Sequence, residues 1–228
     1  MNKKALIVVS STEKYPNMDR ATGLWLGEAV HFYEKLHQQG IEIDFVSPKG
    51  GYTPLDPISL QMMVQPIDWK FYADDEFRNK LATTKKPKEV NADDYNVIYF
   101  AGGHGVVWDF PENKELQELS RKIYENGGIV SSVCHGAVAL FNITLSNGEL
   151  LIKDKTLTGF SNQEEILAEL ADHMPYLTED ELVKRGAKYV KAEHPFTSFA
   201  VVDERLVTGQ NPQSGAEVGE KVLAILNK

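Results

Sequence analysis

The sequence predicts an α/β fold in which a mostly parallel sheet carries helices on both faces. Strand and helix signals alternate from the start of the chain through Leu140. The runs Ala5 to Val9 and Ile129 to Val133 are short, apolar and rich in β-branched residues, as buried strands are. The chain has 228 residues, 42% apolar and 25% charged, the balance of an ordinary globular protein. That length buries roughly 70–75% of the unfolded surface and suits one α/β domain.

In order, Lys4 to Ser10 read as the first strand. Thr22 to Gln39 read as a helix with Thr22 as N-cap and Gly40 as its stop. Ile41 to Val46 form the second strand. A less regular stretch follows SPKGGYTPLDP, and within it Asp74 to Thr84 reads as a short polar helix. Val97 to Ala101 form the third strand, Pro111 to Asn126 a helix ending at Gly127, and Ile129 to Val133 the fourth strand. Gly136 to Leu140 then begin another helix. Beyond it, LLIKDKTLTGF reads as a hairpin or edge pair, and SNQEEILAELADHMP as a helix capped by Ser161 or Asn162. Leu177 to Arg185 form a further short helix. TSFAVVDERLVTGQNP gives two strands joined at Asp203 and Glu204, and Gly215 to Leu226 a closing helix. No repeat or linker interrupts this order, so residues 1–228 read as one domain with insertions at about 50–90 and 142–200.

Several function classes fall away. A formal net charge of −9 and the lack of a Lys/Arg stripe argue against a nucleic-acid partner. The N-terminal apolar run of five residues is too short for a signal-peptide core, and no stretch approaches a membrane span. One cysteine leaves no internal disulfide and fits a cytoplasmic location. GGHGVVW lacks the third glycine of GxGxxG, and no GK[ST] follows it, so no nucleotide cofactor is expected. No HxxxH or Cys/His cluster gives a zinc spacing, and no metal is expected. His31, His37, His173 and His194 lie where they carry no site signal.

The lone Cys134 falls where the fourth strand meets the next helix, in IVSSVCHGAVAL. Such a turn lifts a side chain above the sheet, and sites in these folds lie beyond the carboxyl ends of the strands. A helix N-terminus favours the thiolate of a group whose free pKa is about 8.5, so a reactive thiol is expected at neutral pH. Three segments should meet there. AGGHGVVWDFP follows the third strand, where Gly103 or His104 can turn an N–H toward the site and, with the His135 N–H, form an oxyanion hole. His104 either positions a carbonyl or bonds the backbone. TGLWLGE brings Glu28, which is either an exposed helix glutamate or a buried carboxyl of raised pKa beside the sulfur. TGFSNQEE brings Glu164 and Glu165, which complement a helix dipole or orient the His135 ring. Adjacent side chains do not naturally face each other, so a group holding that ring matters here.

Five segments in order, TGLWLGE, EVNADDYNVIYFAGGHGVVWDFP, GGIVSSVCHG, LTGFSNQEE and RLVTGQNPQS, resemble the ThiJ/PfpI superfamily and within it the HchA-like, glutathione-independent glyoxalase III branch. The resemblance runs from about residue 5 to 225. It implies a flavodoxin-like, class I glutamine-amidotransferase-like three-layer sandwich, commonly homodimeric. It implies Cys134 as nucleophile, Glu28 as the protonated carboxyl beside it, His135 as second triad member and Glu165 as third, with Glu164 the fallback. Gly103 and His135 would supply oxyanion N–H groups, and Trp25 and Trp108 pocket walls. Larger members carry an extra N-terminal part and a His/Glu metal site; this chain begins at its first strand, so no metal is carried over.

The activity implied is that of a D-lactate dehydratase type of lyase, turning methylglyoxal into lactate through a Cys134 hemithioacetal without a cofactor. Competing expectations within enzymes are a protein or nucleotide deglycase and a cysteine amidase or peptidase. Outside enzymes they are a stress-induced holdase chaperone, for which Met62 to Ile67 is the candidate apolar patch, and a redox sensor built on Cys134.

Overall fold

The computed structural model describes residues 3–228. Six strands form the main sheet: β1 (Lys4–Val8), β2 (Glu42–Val46), β3 (Val97–Phe100), β4 (Ile129–Val133), β7 (Ala200–Asp203) and β8 (Leu206–Gly209). Their order is β2-β1-β3-β4-β8-β7, and all pairs are parallel except β7 against β8. The first five positions reproduce the flavodoxin-like winding, and β7 is an added antiparallel edge. A separate two-stranded parallel ribbon joins β5 (Thr156–Leu157) to β6 (Lys188–Tyr189).

Side chains on successive residues of a strand point to opposite faces, and the two cores divide accordingly. Ala5 and Ile7 of β1 pack with α1 (Leu26–His37), α2 (Pro66–Ala73), α3 (Asp75–Ala82) and α8 (Gly215–Leu226). Leu6 and Val8 pack on the other side with α4 (Val106–Asp109) and α5 (Lys114–Glu125), and with Leu182 of α7 (Thr178–Lys184). The result is a three-layer α/β/α sandwich. Among the described residues no helix is long and apolar enough to cross a membrane.

Several expected boundaries move, each for a local reason. The first helix starts at Leu26 rather than Thr22, because Gly23 and Leu24 are pressed against residues 54–55. There Leu24 N–H donates to the Pro54 carbonyl, and the Thr22 hydroxyl donates to Asp56 instead of capping. The fifth helix begins at Lys114 behind an Asn113 cap. The helix expected over Gly136 to Leu140 is a 3-10 helix and begins earlier, spanning Cys134–Leu140. The expected hairpin around TLTGF is absent, since β5 pairs in parallel with distant β6. The helix capped by Ser161 is shorter than the sequence suggests, α6 spanning Asn162–Leu167. Two helices, α2 and α4, have no clear sequence signal.

One glycine fixes how closely the Cys134 turn lies on the sheet. A Cβ at Gly136 would stand 2.2 Å from the Phe100 carbonyl oxygen, a backbone atom that cannot swing aside. Gly136→Ala is therefore expected to destabilise the protein by about 3 kcal/mol, read as a lowered midpoint in urea unfolding.

Candidate active site

The carboxyl ends of β1, β3, β4 and β8 lie at one edge of the sheet, and the segments that follow them build the site. Cys134 leaves β4 with φ +56, a conformation non-glycine residues seldom adopt. The Cys134 carbonyl accepts the Phe160 N–H, which ties the turn to the TGF segment. Gly103 has φ +104 and lies so close to the chain ahead of α1 that a Cβ there would stand 2.2 Å from the Gly23 carbonyl oxygen. Only glycine lets the loop after β3 pass under α1.

Glu28 lies in the first turn of α1 and is fully buried. Its Oε2 accepts the Gly102 N–H at 2.6 Å, while Oε1 has no complete hydrogen bond and the Cys134 thiol lies against the carboxyl. Burial pushes the Glu28 pKa up to about 8, and the contacts with Cys134 and Gly102 oppose the rise. The same burial pushes the Cys134 thiol well up, helped by the Glu28 charge and opposed by the His135 backbone N–H. This corrects the expectation of a thiolate at neutral pH. Desolvation outweighs the dipole of a turn that is 3-10 rather than a full helix, so thiol and carboxyl form a buried pair that holds its protons.

The unusual backbone at Cys134 turns the adjacent ring toward the sulfur. His135 Nδ1 stands 3.4 Å from Cys134 Sγ, and Nε2 stands 2.6 Å from Glu165 Oε2. Burial pushes the His135 pKa down, and the Glu165 charge opposes it. Burial would raise the Glu165 carboxyl, but the His135 and His104 rings hold it well below the usual carboxylate range. An ionised Glu165 favours the proton of His135 on Nε2, which leaves Nδ1 to accept the thiol proton.

Glu164, next in line, does something else. It accepts both the N–H and the hydroxyl of Ser161, and also the Phe196 N–H and the Asn211 side-chain N–H. Successive residues on a helix point about 100° apart, so only Glu165 reaches the ring.

His104 neither bonds the backbone nor stands alone. Its Nε2 lies 2.8 Å from Glu165 Oε1, so one carboxylate holds two imidazoles whose ring centres are 4.2 Å apart. His104, His135 and Glu165 thus bring three potential metal-donor atoms within 4.8 Å. Metal spacing in the sequence gives no sign of it, because the three residues come from separate segments. Their mutual hydrogen bonds account for the convergence.

A cavity of about 420 Å³ opens over these groups. Gly103, His104, Cys134 and His135 form its floor, and Trp25, Met63, Phe160 and Phe196 line its sides. Trp108 is not among the lining residues, contrary to expectation. It sits on α4, which turns it away to pack edge-on against Tyr15 at 5.4 Å. Phe160 and Phe196 had no sequence signal as pocket walls; Phe196 is placed by its N–H bond to Glu164.

The comparisons agree with this architecture. The crystal structure of Rapid Encystment Protein 24 kDa from Francisella tularensis superposes with a TM-score of 0.94 at 39% identity, covering 98% of this chain and 99% of that one. That of glyoxalase III from Candida albicans gives 0.92 at 32% identity, covering 98% and 97%. The glutathione-independent glyoxalase HSP31 of Saccharomyces cerevisiae is 36% identical over 222 residues, 93% of either chain. The family model described as DJ-1/PfpI matches residues 21–225 and so takes in Glu28, the loop after β3, the Cys134 turn and Glu165 together. On that match and those near full-length identities, the chain belongs to the DJ-1/PfpI family.

Proposed function

We propose that this protein is a glutathione-independent glyoxalase III that converts methylglyoxal to lactate, with Cys134 as nucleophile. The observation that carries the reading is the buried Glu28 carboxyl against the Cys134 sulfur, with His135 Nδ1 3.4 Å from the same atom. A carboxyl with a pKa of about 8 takes up and returns a proton near neutral pH, which is what an isomerisation needs.

The steps balance without a redox partner. Sulfur adds to the aldehyde carbon C1, and the thiol proton, received by His135 Nδ1, ends on the aldehyde oxygen O1. The hemithioacetal so formed carries a C1–H beside a ketone. Glu28 in its ionised form removes that proton and returns it to the ketone carbon C2. The N–H groups of Gly103 and His135 stabilise charge on oxygen meanwhile. The product is a lactoyl thioester; water adds to it, and lactate leaves as the thiol regains its proton.

The geometry favours this over the competing readings. A peptidase needs an open cleft and a thiolate–imidazolium pair, whereas Cys134 is 3% exposed at the bottom of a partly enclosed cavity. Met62 and Met63, the candidate holdase surface, are exposed but line the mouth of that cavity. A homodimer is the expectation carried by the resemblance, and a cytoplasmic location the one carried by the single cysteine.

The test is methylglyoxal consumption in the absence of glutathione, with lactate measured as product. Stoichiometric lactate supports the reading, and a wild-type protein that consumes none overturns it. Within the same assay, Glu165→Gln is expected to lower kcat by about 10²- to 10⁴-fold, since an amide cannot hold the His135 proton on Nε2 as a carboxylate does. Steady-state rates for that variant, beside an unchanged unfolding curve, check it.

A further inference from the structure

The isomerisation of the hemithioacetal moves two protons, and the steps above assign a carrier to one of them. Between hemithioacetal and thioester, the proton on C1 goes to C2. The proton on O1 must also go to O2, because O1 ends as a carbonyl and O2 as a hydroxyl. Glu28, buried beside the sulfur, serves the carbon transfer. The oxygen transfer needs a second group that accepts and donates at one atom and faces the cavity.

His104 has that form. Its Nε2 is anchored on Glu165 Oε1 at 2.8 Å, and Nδ1 has no hydrogen-bond partner among the described residues while the ring lines the cavity. An ionised Glu165 keeps the proton on Nε2 and leaves a lone pair at Nδ1. The same carboxylate steadies the imidazolium that forms when Nδ1 takes a proton. Tyr15, Phe160 and His135 surround the ring at centroid distances of 6.1, 6.0 and 4.2 Å, so it is held in place, with the His135 imidazole and the Tyr15 phenol as its titratable ring neighbours.

We infer that His104 is a catalytic residue that carries the oxygen-to-oxygen transfer. The O1–H bond breaks as Nδ1 takes the proton, the same nitrogen delivers it to O2, and no co-reactant is consumed. Glu165 then serves two imidazoles with different tasks: His135 at the sulfur and His104 at the substrate oxygens. The inference rests on the glyoxalase reading.

The test uses His104→Gln and His104→Ala with two readouts, steady-state methylglyoxal turnover and the rate at which iodoacetamide alkylates Cys134. Glutamine can still donate to Glu165 and keep His135 in place, but it cannot relay a proton. Expected for His104→Gln is a kcat lower by about 10²-fold or more, with KM and the alkylation rate within about threefold of wild type. Expected for His104→Ala is partial recovery of kcat on adding imidazole, which a purely structural loss would not show. A His104→Gln enzyme within threefold of wild type overturns the inference. So does a kcat loss matched by an equal loss of alkylation rate, which would make His104 a positioning residue for His135. Wild-type protein that makes no lactate removes the glyoxalase reading itself, an outcome distinct from either.

Discussion

Cys134→Ser is expected to reduce lactate formation from methylglyoxal by about 10⁴-fold or more, to the level of buffer alone. The serine hydroxyl is nearly isosteric but a far weaker nucleophile, and here nothing compensates for the difference. The turn is 3-10 and the position is buried, so neither a full helix dipole nor water stabilises a serine alkoxide. The variant should keep its fold, since the strained φ of +56 is set by the backbone and by the Phe160 N–H bond rather than by sulfur. Lactate measured over hours at high protein concentration, with circular dichroism as the control, checks it. Turnover within tenfold of wild type would remove Cys134 from the mechanism.

Glu28→Gln is expected to stop turnover and to stabilise the protein at alkaline pH. The amide cannot take the C1 proton, so kcat should fall by about 10²- to 10⁴-fold. The stability effect follows from the raised pKa. Between the unfolded value of 4.5 and the folded value of about 8, the folded state keeps a proton that the unfolded state has released. Stability contributed by neutral Glu28 is therefore full below about pH 4.5 and is lost as pH rises toward about 8. The loss is about 5 kcal/mol, and a glutamine at this position does not suffer it. At pH 4 the two proteins should melt alike; at pH 9 the variant should melt about 10 °C higher. Thermal unfolding at both pH values decides it, and parallel curves at both would mean that Glu28 ionises freely. The same titration predicts that wild-type kcat/KM rises with pH up to about 8, because the base form of Glu28 is scarce below it.

Much of this was written in the chain. Alternating strand and helix signals gave the parallel sheet, because strands covered on both faces must be apolar and β-branched whatever their neighbours are. The lone cysteine between a buried strand and a glycine-containing turn marked the proposed nucleophile, and TGLWLGE offered Glu28 as either an exposed or a buried carboxyl. These are local constraints, carried by residues within about ten positions of one another. The start of α1 was misplaced because Gly23 and Leu24 answer to residues 54–55, and β5 because its partner lies 32 residues away.

The site's chemistry, by contrast, was decided by contacts the chain does not announce. Glu164 and Glu165 are equivalent in local pattern, the resemblance alone favouring Glu165, and the helix rotation points only Glu165 at His135. His104 reaches that carboxylate across 61 positions. Trp108, expected in the cavity wall, is carried behind Tyr15 by a one-turn helix with no sequence signal. The protonation of Cys134 also reversed a local expectation. A helix start favours a thiolate, but the tertiary fold buries the thiol together with Glu28, and removing charge from water costs more than a short turn's dipole returns. The sequence by itself determined which sheet forms and which thiol stands at its strand ends; packing decided where the protons reside, because pKa values depend on burial and on partners distant along the chain.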